Sequence, residues 1–140
     1  MRVAGNPVVL VLAVLGACAG PPPQLPVNAV VGVNTHPPGS MVAVSATAPP
    51  QIVGMAFNSL DVARGSTWSG DIITSSNVAS VEVRSNLFSI DVPRTAFGRF
   101  HFDIDVFDVP PIFVRTYAVR VIARNAAGVE AEEDVPFRIR

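Results

Sequence analysis

The chain contains no lysine, and all ten of its basic residues are arginine. It has one cysteine, Cys18, along with two histidines, one tryptophan and one tyrosine. A single cysteine excludes an internal disulfide. A formal net charge of −1 supplies no basic footprint for nucleic acid. No segment after the N-terminal region approaches the roughly 18 apolar residues of a membrane-spanning helix. The sequence has no Gly-x-Ser-x-Gly elbow, no glycine-rich phosphate loop opening a helix, and no metalloprotease or zinc-cysteine spacing. With so few bases and nucleophiles, the expectation is a non-enzymatic protein that needs no cofactor.

The N-terminus carries the most specific signal. Val8-Val9-Leu10-Val11-Leu12-Ala13-Val14-Leu15 is an apolar run too short to span a bilayer. Leu15-Gly16-Ala17-Cys18 follows, and the whole resembles a bacterial lipoprotein signal. The resemblance implies cleavage before Cys18, lipid on its thiol, and an exported protein held in the cell envelope. In an oxidising compartment a lone thiol is a liability, which lipidation removes. Ala19 in place of Asp points, by the same resemblance, to the outer membrane of a double-membrane bacterium. Ala17-Cys18-Ala19 also fits a small-x-small cleavage site, which would give a soluble secreted protein starting at Gly20.

The expected organisation is a signal over residues 1–17, a tether over 18–26, an additional hairpin or linker over 27–47, and one domain over 48–140. Pro21-Pro22-Pro23 stiffens the tether toward polyproline II. From Gln51 onward, short alternating segments recur between turn signals, which argues for an all-β sandwich or barrel. Strands are expected at Ile52–Leu60, Trp68–Thr74, Val78–Arg84, Phe88–Val92, Arg99–Val106 and Tyr117–Asn125, with a last one ending near Ile139. No segment has a helical period. The expected core is Val81, Val83, Phe100, Phe102, Ile104, Val119, Val121, Phe137 and Ile139. Pro136 is tolerated best at a sheet edge.

Tyr117-Ala118-Val119-Arg120-Val121-Ile122-Ala123-Arg124 runs into Asn125-Ala126-Ala127-Gly128 and then a final strand. This resembles the immunoglobulin-like and fibronectin-III-like domains of bacterial envelope proteins, and Asn77 to Arg84 resembles their central strand. The resemblance covers residues 48–140 and implies an antiparallel sandwich of about seven strands. In it, a tyrosine opening the penultimate strand bonds nearby backbone. The chain lacks the paired core cysteines of antibody domains, and Trp68 opens an early strand instead of lying on the central one.

Three groups are candidates for chemistry or contact. His101, Asp103 and Asp105 share one face of a strand, about 6.6 Å apart in sequence steps of two. They could contribute ligands to a divalent cation, or form a solvated face paired with Arg120 or Arg124 across the sheet. The acidic run Glu130, Glu132, Glu133 and Asp134 could bind calcium or a basic partner, and reads more readily as a solvated strand edge that discourages edge-to-edge pairing. Phe107, Ile112 and Phe113, with Val109 and Val114, form an apolar loop rimmed by Arg94 and Arg115. It is either a contact patch or a plug at the end of the core. His36 reads as a turn residue.

The expected function is a lipid-anchored envelope protein that presents one Ig-like domain for adhesion, scaffolding or binding a protein or glycan. The alternative is an exported module that binds carbohydrate or calcium.

Overall fold

The computed structural model describes residues 30–32 and 39–140. The fold is all-β, with one 3-10 turn at Pro111–Phe113. The strands are β1 (Val30–Gly32), β2 (Ile52–Phe57), β3 (Asp61–Val62), β4 (Ser66–Thr74), β5 (Val78–Arg84), β6 (Ser89–Val92), β7 (Arg94–Ala96), β8 (Arg99–Val106), β9 (Thr116–Asn125) and β10 (Glu130–Ile139). They form two five-stranded sheets, ordered β1-β2-β4-β8-β7 and β3-β10-β9-β5-β6. β1 runs parallel to β2 and β3 parallel to β10, while every other pairing is antiparallel.

The period-two pattern explains the layering. Phe100 and Phe102 on β8 face one way, and Val119, Val121 and Ala123 on β9 face them from the other sheet. Val81 and Val83 on β5 and Phe137 and Ile139 on β10 join the same buried cluster. Of the expected core, Ile104 alone is only half-buried, because it lies where β8 has no neighbour on one side among the described residues.

The centre of the core is aromatic. The fully buried Trp68 ring lies 4.3 Å from Phe137 of the opposite sheet, 4.8 Å from Phe102 and 5.5 Å from Phe57. Its indole N–H donates to the Ser59 carbonyl at 2.9 Å, so burial leaves no donor unpaired. Gly70 sits in register between Phe57 on β2 and Phe102 on β8, and both rings close over it.

Two strand assignments differ from the sequence expectation. The segment Ile52–Leu60 does not form one strand: β2 stops at Phe57, and the chain crosses to the second sheet to add β3. The second is β7 (Arg94–Ala96), which no expected strand covers: Pro93 ends β6 in the second sheet, and the chain crosses there to the first. Both are sheet changes, which leave no mark in local alternation.

The described residues of 27–47 hold β1 and a bridge between Val42 and Ser75. The Ser76 N–H donates to Val42 O and the Ser76 hydroxyl to Val44 O, while Asn77 donates to Ala48 O. These bonds tie the segment before β2 to the β4–β5 turn. The expected signal, Cys18, the 18–26 tether and His36 lie outside the described residues.

Candidate functional site

The loop after β8 combines exposure with rigidity. Phe107 and Ile112 are each 77 % exposed. Val109, between them, packs against the core, and Phe113 is half-buried. The Tyr117 hydroxyl donates to Phe113 O at 2.8 Å, four residues upstream, and the Phe113 and Val114 N–H groups close the 3-10 turn. Arg64 donates to Val109 O at 3.2 Å and lies 3.5 Å from Asp108. The loop is thus divided: Val109 packs against the core, Phe113 is half-buried, and Phe107 and Ile112 project into solvent.

Arg115 borders this loop. Its guanidinium lies 5.0 Å from the Tyr117 ring, beside a hollow of about 370 Å³ shared with Asn86 and Ala118. Arg94 does not border it. On β7 it pairs with Phe100 of β8, toward the opposite end of the sheets, and it donates to Val78 O and Ala79 O.

The His101 face is partly assembled. His101 Nδ1 lies 2.9 Å from Asp71 Oδ1 on β4, and Nε2 lies 3.3 Å from Asp103 Oδ2. The Asp71 hydrogen bond raises the imidazole above its ordinary value; desolvation opposes this and the charges of Asp71 and Asp103 assist it. Both ring nitrogens are turned to carboxylates, an arrangement that favours the protonated imidazole. Asp105 instead accepts from the Thr67 hydroxyl at 2.8 Å. Among the described residues, no three His, Cys, Asp or Glu side chains come together as a metal-binding group. Asp71 and Thr67 were missed because they lie on a strand distant in sequence and only register places them here.

Arg120 and Arg124 are not the partners of this strand, since β8 and β9 belong to different sheets. Arg124 bridges Glu82, at 2.8 Å, and Glu130, while Arg120 bridges Asp134 at 2.9 Å and Glu132 at 3.3 Å. Glu82 is buried although it sits on the outward face of β5. The Ser89 hydroxyl, then Arg124 and Arg84, hold its carboxyl at about 2 against the opposing effect of burial.

The acidic run lies on the rim of the second sheet, because β3 covers β10 only at Arg138 and Ile139. Glu133 points inward with Ala131 and Val135, and burial raises its carboxyl. Its buried Oε2 has no hydrogen-bond partner among the described residues. An inward charge on an edge strand opposes pairing with another sheet. Pro136 falls on the same rim: the Arg138 N–H donates outward to Leu60 O, so the proline two residues earlier has its missing N–H on that side.

No known protein-family model matches the chain. No curated protein matches it either.

Proposed function

We propose that this is a non-enzymatic envelope lipoprotein, anchored through Cys18, whose Ig-like domain binds a protein partner through the Phe107–Arg115 loop. The observation that carries the reading is that Phe107 and Ile112 are both 77 % exposed in a loop pinned by Tyr117, Val109 and Arg64. Large apolar side chains held rigidly in water mark contact sites. Phe113 and Arg115 support them from below and at the rim.

The strand order supports the Ig-like assignment. β2-β4-β8-β7 against β10-β9-β5-β6 follows the order of a constant-type sandwich with one added strand, and Tyr117 makes the corner bond of that architecture. The direction of β1 supports the anchoring geometry. β1 runs parallel to β2 and so enters the sheet from the side where Ile52 meets Thr74. Phe107 follows Val106, which pairs with Ser66 at the opposite end. The apolar loop therefore lies at the end of the sheets opposite the one where β1 begins.

The test is photo-crosslinking in intact cells, with a photoreactive residue at Ile112 and, as control, at Arg120 on the outer face of β9. The expected result is a discrete protein adduct from Ile112 alone. Equal labelling from both positions, or none from Ile112 in the membrane-bound protein, would overturn the reading.

A further inference from the structure

The first sheet has an open edge beside a groove. β7 pairs with β8 only through Arg94 with Phe100 and Ala96 with Arg99. The His101 N–H makes one more bond on that side, to Pro93 O at 3.1 Å. Main-chain groups alternate sides along a strand, so the N–H and C=O of Asp103 and Asp105 face the same way as those of His101. Among the described residues, no strand pairs with them there.

A groove of about 690 Å³ runs along this edge, between β8 and β6. Its apolar lining includes Ile90, Pro93, Ile104 and the exposed Phe107, which joins it to the loop described above. Asp91, Asp103 and Asp105 supply its carboxylates, and no arginine lines it. His101 also lines it, held between Asp71 and Asp103. The groove therefore offers main-chain donors and acceptors that no described strand pairs, an apolar floor and negative charge.

We infer that this groove takes an extended segment of a partner protein, with alternating apolar and basic side chains, as an added strand beside β8. Main-chain bonds to Asp103 and Asp105 would give affinity, since strand addition relies on such bonds. Apolar side chains facing Ile90 and Ile104 would set the register, and the basic side chains between them would meet the carboxylates. The open stretch from Phe102 to Phe107 accommodates about five residues at ~3.4 Å each. The inference rests on the protein-binding reading above and names the partner's chemistry. The chain's own first 29 residues match that chemistry poorly, since Arg2 is their only charged residue.

The test is residue-resolved hydrogen exchange on the full chain in detergent micelles, with a capped peptide alternating valine and arginine as the probe. In the protein alone, the Asp103 and Asp105 amides should exchange freely. The peptide should slow both by about tenfold or more, and a valine–glutamate peptide should not. The Asp103→Asn/Asp105→Asn pair, which keeps the Thr67 bond feasible, should weaken the protection by the arginine peptide. Amides already protected in the protein alone, no slowing by the arginine peptide, equal slowing by the glutamate peptide, or unweakened protection in the Asn pair would each overturn the inference. Crosslinking at Ile112 reads a different position, so failure here leaves the contact loop to stand or fall by its own test.

Discussion

The Tyr117 hydroxyl donates to the Phe113 carbonyl at 2.8 Å and so fixes the turn from which Ile112 projects. The bond joins the start of a buried strand to the loop before it, and makes the exposure of Ile112 a property of the fold.

Removing that hydroxyl tests the role. Tyr117→Phe keeps the buried ring and deletes one hydrogen bond, so it should cost about 1 kcal/mol in urea unfolding. An unchanged midpoint would show that apolar packing of Val109 and Phe113 alone holds the loop.

Gly70 tests the aromatic centre. A Cβ built there would come within 2.7 Å of both the Phe102 and Phe57 rings. Gly70→Ala should therefore destabilise by about 1–3 kcal/mol through overpacking, although alanine otherwise suits a strand better than glycine. A neutral or stabilising effect on thermal unfolding would contradict the close approach of the two rings.

Glu82 sets an acid limit. Its folded carboxyl sits at about 2, against an ordinary value of 4.5, because Ser89, Arg124 and Arg84 favour the charged form. A lowered folded value means stability that is complete above 4.5 and is lost as the pH falls from 4.5 toward 2. Glu133, raised by burial, changes stability in the opposite sense. Comparing urea midpoints of wild type and Glu82→Gln isolates the first term: the variant should be weaker at neutral pH by about 2 kcal/mol, with the gap closing in acid. A gap constant from pH 6 to about pH 2.5 would exclude the network as its cause.

His101 acts in the other direction. Asp71 raises its folded value above 6.5, so its contribution is present below that pH and is lost as the pH rises through the folded value. The imidazole should titrate above an unfolded reference by NMR, and Asp71→Asn should lower it. A titration at or below the reference would contradict the two-carboxylate arrangement.

Much of the fold was legible from alternation. Val81, Val83, Phe100 and Phe102 read correctly because each strand has one wet and one dry face. The boundaries of β5 and the Asn125–Gly128 turn were equally local, the turn being closed by the Gly128 N–H on Asn125 O. What alternation could not supply was pairing. Which sheet Asp61, Arg94 or Arg120 joins depends on contacts distant in sequence. For that reason the His101 strand was matched with arginines of the wrong sheet and Asp71 went unseen. The burial of Glu82 on the outward face of β5 follows from Ser89, Arg84 and Arg124 closing over it, and two of these three lie on other strands. The apolar loop was legible as composition, but the division between Val109, which packs inward, and Ile112, which projects, follows from the turn geometry.

The central claim is that Cys18 anchors this domain in a membrane so that the Phe107–Arg115 loop faces a partner. The measurement that tests it most directly is the mass of the N-terminal peptide of the protein recovered from the membrane fraction. The account predicts a chain that begins at Cys18 and carries acyl groups, with Cys18→Ala released from the membrane. A mature chain beginning at Gly20 without lipid, or an uncleaved chain beginning at Met1, would contradict it.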